Sequence, residues 1–152
     1  MAQNKELIQA LQAIVTGLSQ QADGHNIQSK IFAAQGFSKL ADKYAEHVTE
    51  ERGYVDQIID RLLDLGADIK NDAKEAAPVH KDPVDWIKYD LQVSIDGLAF
   101  LKTVIDMAKD DLTTYDILKD YYKDEEEDMY WGEQQLELID LIGKQNWLLQ
   151  QL

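Results

Sequence analysis

The chain contains no cysteine, only two prolines and eight glycines, and about half as many basic as acidic side chains among its 152 residues. The absence of cysteine excludes a disulfide framework, a thiolate metal site and a cysteine nucleophile. So few prolines and glycines leave little room for extended linkers. No apolar run is long enough to span a bilayer, and the first residues lack the basic flank and apolar centre of a signal peptide. We therefore expect one cytoplasmic domain over residues 1–152, with no membrane partner.

The net charge is −14 at neutral pH. Such an excess of carboxylates argues against binding to a phosphate backbone, because repulsion opposes every contact. No basic tail or lysine cluster offsets it. The same charge attracts cations, so metal ions are expected partners and nucleic acid is not.

Apolar residues recur at helical spacing over most of the chain. The pattern predicts helices at about 4–35, 38–65, 83–109, 114–142 and 145–151, with an aperiodic crossover at 66–82. Asn4, Asp82 and Thr113 or Thr114 are the expected N-caps. Short, long and short connections in turn predict an all-α, antiparallel four-helix bundle with one long crossover and a short fifth helix, as in ferritin-like proteins.

The predicted apolar stripes turn polar in their middle sections. The first helix carries Leu18 and Ile27 on its stripe, with His25 between them at an inward position. The stripe of the second helix includes His47 and Glu51, and that of the fourth includes Glu125, with Asp128 at its edge. A carboxylate in an apolar stripe is strongly unfavourable unless it is paired. These groups are therefore either mutually hydrogen-bonded or ligands for a cation, and the pattern leaves both open.

Several segments resemble a known family. The sequence around Asp124-Glu125-Glu126 and Trp131, with the tail Gly143–Leu148, resembles the last helix of bacterioferritins. The segment 60–66 is similar to the end of the second helix in that family and in Dps-type mini-ferritins, and Asp90-Leu91 is similar to part of the third. The resemblance covers almost the whole chain. It implies a ferritin-like subunit of a homo-oligomeric cage, built from two-fold dimers, that binds and stores iron.

In bacterioferritins each subunit holds a di-iron ferroxidase centre of four carboxylates and two histidines. The resemblance puts those positions on a mixed set of residue types: Leu18, Glu51, Tyr54, Ser94, Glu125 and Asp128. It therefore implies a remodelled centre with weak or absent ferroxidase activity. The methionine that binds haem falls at or next to Arg52, so haem is not expected.

Two interpretations of different classes follow. In the first, the chain is an iron-handling cage subunit whose remaining donors make a rearranged site for iron or another divalent metal. The candidate ligands are Glu51, Glu125, Asp128, His47 and His25. In the second, the chain is a non-catalytic ferritin-like structural protein in which the same groups form a hydrogen-bonded polar core. A third choice is Dps-type stress protection without direct DNA binding.

Overall fold

The computed structural model describes the backbone of residues 2–152 and the side chains of residues 5–152, which leaves the side chain of the expected cap Asn4 outside the described part. Five helices follow one another: α1 Ala2–Ala34, α2 Ser38–Asp64, α3 Pro83–Met107, α4 Leu112–Ile142 and α5 Lys144–Leu149. No strand occurs in the described backbone. The expectation of an all-α, ferritin-like four-helix bundle with a short C-terminal helix is confirmed.

Local chemistry sets the starts of α3 and α4. Asp82 caps α3 and accepts a hydrogen bond from a backbone N–H of the first turn, with Pro83 at the first helical position, as predicted. The cap of α4 is Asp111, so the expectation of Thr113 or Thr114 was wrong. Asp111 accepts from the Thr114 backbone N–H at 3.2 Å and from the Thr114 hydroxyl at 2.7 Å. The threonine is the donor to the cap instead of being the cap.

The helices pack in two antiparallel pairs, α1 with α2 and α3 with α4. An apolar cluster fills each end of the bundle. One is formed mainly by the first half of α1 with the second halves of α2 and α3, and includes Leu11, Leu18, Ile58 and Leu118. The other includes Phe32, Tyr44, Trp86 and Trp147. Buried polar side chains lie between them, as the stripes predicted. No helix within residues 2–152 combines the length and the apolar character needed to cross a bilayer.

The inward face of α1 departs from the prediction after Leu18. Ile27, expected in the core, is 49% exposed, while His25 and Phe32 are buried. The buried positions continue from Leu18 at steps of three and four through Ala22 and His25, which is regular helical spacing. The prediction failed because it selected the most apolar residues instead of following the angle of the helix.

The crossover is held along α1 by glutamine side chains. Gln12 forms two hydrogen bonds with the backbone of Lys70, and Gln28 forms two with the backbone of His80. Gln20 and Gln35 each donate one more bond to a crossover carbonyl. From Gln12 to Gln28 the helix rises by roughly 24 Å. The crossover therefore runs lengthwise along the bundle, as the long aperiodic segment predicted.

Candidate metal centre

The buried polar layer draws on all four long helices. Its members are His25 from α1, His47 and Glu51 from α2, Asp90 and Ser94 from α3, and Glu125 and Asp128 from α4. Asp90 and Asp128 are partly exposed, and the other five are buried. Contacts between the helices show that these side chains lie at one height in the bundle, because His25 reaches Glu51 and Asp90, and His47 lies beside Asp128. All five candidate ligands predicted from the sequence thus belong to the layer, together with Asp90 and Ser94, which were not among them.

His25 lies between two carboxylates. Its Nδ1–H donates to Glu51 Oε1 at 2.6 Å, and its Nε2–H donates to Asp90 Oδ1 at 2.7 Å. The other Glu51 oxygen accepts from Gln21 Nε2 at 2.7 Å. Burial alone would lower the pKa of His25, but the charges of Asp90 and Glu51 outweigh it and hold the pKa well above its ordinary value. The imidazole is therefore protonated at neutral pH, and its ring orientation is fixed from both sides.

His47 has the opposite electrostatic environment. Burial, and then the nearby charge of His25, lower its pKa to about 3, so the ring is neutral. Neither ring nitrogen has a hydrogen-bond partner among the residues that the structure describes. Asp128 Oδ1 lies 3.3 Å from His47 Nε2, but the contact lacks hydrogen-bond geometry. His47 thus keeps an unshared electron pair on a buried nitrogen.

Glu125 and Asp128 lie beside this pair of histidines. Burial raises the pKa of Glu125 to about 7, and the charge of Glu51 acts in the same direction. Burial likewise raises the pKa of Asp128 to about 8, with a further contribution from Glu125. Glu51 and Glu125 are both buried in the bundle core, and the charge of Glu51 contributes to the raised pKa of Glu125. Carboxyl groups with raised pKa values release protons when a cation binds, so this layer has the charge pattern of a cation site.

Aromatic rings enclose the two histidines. The ring of His25 lies 5.5 Å from that of His47 and 6.0 Å from that of Trp86. The ring of Tyr44 lies at an angle to both imidazoles, 5.4 Å from that of His25 and 5.2 Å from that of His47. Trp131 lies edge-on to His47 at 6.3 Å. The rings give the two imidazoles an apolar surrounding, in which electrostatic interactions are stronger than in water. Trp131, which the sequence analysis named only within the bacterioferritin resemblance, is part of this enclosure.

The remaining positions that the bacterioferritin resemblance pointed to contribute differently. Leu18 is buried in the apolar cluster and offers no donor atom. Tyr54 is half-buried, and its hydroxyl donates to Asp124. Ser94 is buried beside Glu125, where its hydroxyl opposes the rise in the pKa of that carboxyl. These residues do not add strong ligands, and the donors are concentrated toward the histidines instead.

Three donor groups meet closely enough to share one ion. Ligand atoms of His25, His47 and Asp90 all lie within 4.8 Å of one another. Two imidazoles and a carboxylate are a donor set that suits iron, zinc and neighbouring transition ions. The orphaned nitrogens of His47 fit a metal ligand, since a buried polar group without a partner is otherwise unfavourable. The residues present therefore fit a divalent transition ion.

Asp90 is the member that the sequence prediction missed. Its apolar chain neighbour Leu91 is only half-buried. Trp86 and Ser94 are both buried, and Asp90 lies four residues from each of them on the same face. A stripe drawn through the tryptophan would have placed this carboxylate inward.

Comparison with known proteins identifies the family. The family model of the ferritin-like domain matches residues 8–142. The chain is 31% identical over its whole length to the bacterial ferritin of Neisseria meningitidis and 31% identical to that of Pseudomonas aeruginosa, with each relative also covered completely. It is 26% identical to the bacterioferritin of Rhodobacter capsulatus, over 92% of this chain and 86% of the relative. This chain belongs to the ferritin-like family, in its bacterioferritin-type branch.

Proposed function

We propose that the protein is an iron-storage subunit that binds Fe(II) as cargo through the polar layer of its bundle. The observation that carries this proposal is the burial of Glu51 and Glu125, which are only 4% and 5% exposed. Carboxylates of two facing helices, buried with two imidazoles, make a cluster whose charge a cation would neutralise. The names of the relatives, bacterial ferritin and bacterioferritin, support the same ion. Oxidation by this site is expected to be slow, because Leu18 and Ser94 supply no strong ligand.

Storage further requires an enclosed space, and we propose that it is formed by a closed homo-oligomer of two-fold dimers. Large apolar side chains on the surface of the isolated chain support this: Leu63, Leu112, Leu141, Leu149 and Leu152 are each more than half exposed. The net charge of −14 favours entry and retention of cations in such an assembly. Light scattering should give a mass of many subunits; a monomer would contradict this part of the proposal.

Iron binding is tested on the assembled protein. Fe(II) is added without oxygen, unbound iron is removed by gel filtration, and the retained iron is counted per subunit before and after exposure to air. Glu51→Gln and Glu125→Gln should each lower the iron retained, because each removes a buried negative charge. Glu127→Gln is the matched control, since Glu127 is an exposed neighbour on the same helix. Equal retention in all four proteins would contradict the assignment to the polar layer.

A second candidate function is supported by the hydrogen bonds of His25. The imidazolium lies between Glu51 and Asp90 and can itself offset the negative charge of these carboxylates. In this second candidate function the chain is a non-catalytic structural member of its family, and the protonated side chain of His25 takes the place of a metal ion at its centre. Absence of both Fe(II) binding and oxygen consumption above buffer would favour this candidate over iron storage.

A further inference from the structure

The histidine side of the polar layer has a definite composition. His25, His47 and Asp90 come from three different helices, and their donor atoms converge to within 4.8 Å. We propose that these three residues, with Asp128 beside them, form a mononuclear site for one divalent first-row transition ion. The inference rests on the proposed function only for the identity of the physiological ion, Fe(II). It differs from that proposal because it makes Glu51 a positioning residue instead of a ligand.

His47 supplies the independent observation. Its side chain is almost fully buried, with neither nitrogen hydrogen-bonded in the described part of the chain. Leaving such a group unpaired costs about 1–3 kcal/mol. The ring lies against His25 and within 3.3 Å of Asp128. It is therefore aimed into the cluster with an electron pair available for a metal.

His25 is positioned for ligation by a chain of hydrogen bonds. Gln21 donates to Glu51, and Glu51 accepts from His25 Nδ1–H. A carboxylate that holds one ring nitrogen while the other binds metal is the usual outer arrangement of histidine ligands. Nε2 faces Asp90 Oδ1 at 2.7 Å. An ion entering between them replaces one hydrogen bond by two metal bonds, and the Nε2 proton leaves to solvent.

A route leads from the surface to this point. A cavity of about 120 Å³ lies between α1, α3 and the crossover, and both His25 and Asp90 line it. Its outer wall includes Ala77 and Pro78, which are exposed residues of the crossover. Gly24 also lines it, and no atom lies within 4 Å of the position where a Cβ would be. The site is thus reached from beneath the crossover.

The donor set determines the class of ion. Two imidazoles favour Fe(II), Co(II), Ni(II), Cu(II) and Zn(II), whereas Mg²⁺ and Ca²⁺ prefer oxygen ligands. Excess Mg²⁺ should therefore not displace a transition ion from the site.

The test uses Co(II), which does not oxidise readily and reports imidazole ligation through its visible absorption. The assembled protein is titrated with CoCl₂ under excess Mg²⁺, and the stoichiometry and spectrum are recorded. We expect one Co(II) per subunit, loss of the bands in His47→Phe and Asp90→Asn, and roughly 10–100-fold weaker binding in Gln21→Leu. His80→Phe is the matched control, because the third histidine of the chain lies outside the cluster.

Unchanged cobalt bands in both His47→Phe and Asp90→Asn would overturn the site, as would a wild-type protein that binds no cobalt. Circular dichroism and assembly mass show whether each variant is folded, and where only one of the two is folded, unchanged bands in that variant overturn the site. Iron storage can fail separately. Cobalt binding without iron retention rejects the proposed function and keeps the site, and iron retention without cobalt binding does the reverse.

Discussion

Replacing each of the two buried histidines by leucine should change the stability of the fold in opposite directions. Replacing His47 by Leu removes a polar ring that has no partner, and leaves every described hydrogen bond of the layer in place. Replacing His25 by Leu removes the cation between Glu51 and Asp90. In metal-free protein we therefore expect His47→Leu to stabilise the fold and His25→Leu to destabilise it.

The magnitudes follow from burial. An unpartnered buried polar group is unfavourable by about 1–3 kcal/mol, and imperfect repacking of leucine offsets up to about 1.5 kcal/mol of that gain. The net gain for His47→Leu is about 1 kcal/mol, which raises the melting temperature of a subunit of this size by about 2–4 °C. Removing one partner from a buried ion pair costs about 3–5 kcal/mol, which lowers the melting temperature of His25→Leu by roughly 10 °C.

The assay is thermal unfolding of the assembled proteins at one scan rate, first with a chelator and then with Co(II). An ion at a hundred times its dissociation constant stabilises the folded state by about 2.7 kcal/mol. Co(II) should therefore raise the melting temperature of the wild type above that of His47→Leu, whereas the melting temperature of the variant should not change. If His47→Leu lowers the metal-free melting temperature as much as His25→Leu does, His47 is an ordinary packing residue and the reasoning fails.

Three further outcomes are expected. In urea unfolding, Gln28→Leu should lower the free energy of unfolding by about 2–4 kcal/mol, because it leaves two backbone groups unpaired in a part-buried contact. Gln20→Leu removes one exposed hydrogen bond and should lower it by less than about 1 kcal/mol. Equal losses in the two variants would contradict this. The neutral form of Glu125 stabilises the metal-free fold, an effect complete below the carboxyl's ordinary pKa of 4.5 and lost as pH rises through about 7. This group should thus make the free energy of unfolding roughly 3 kcal/mol lower at pH 8 than at pH 5, and Glu125→Gln should lack that contribution. In stopped-flow mixing with Co(II), Gly24→Leu should slow uptake without changing stoichiometry, whereas exposed Gly53→Leu should not, and equal rates would place the entrance elsewhere.

Sequence periodicity predicted the helices, the crossover and a polar layer between two apolar clusters. It did so because burial repeats at helical spacing, and because an aspartate followed by a proline, as in Asp82-Pro83, favours the start of a helix by itself. It could not tell that Asp90 meets His25, since contacts between helices depend on their relative rotation and height, which no single stripe contains. Nor could it tell that Glu51, one of the predicted ligands, accepts a hydrogen bond from His25.

The glutamine contacts of α1 bind only main-chain atoms of the crossover, at Lys70, Glu75, His80 and Lys81. Substitutions of the side chains between those points should therefore leave these contacts intact, whereas a change in the number of residues should not. A single inserted or deleted residue between 71 and 79 would shift the crossover backbone relative to the glutamine side chains that bind it further along. It would also move the start of α3, and with it Asp90, along the bundle axis. The length of that segment therefore matters more for the position of α3 than the identity of its side chains does.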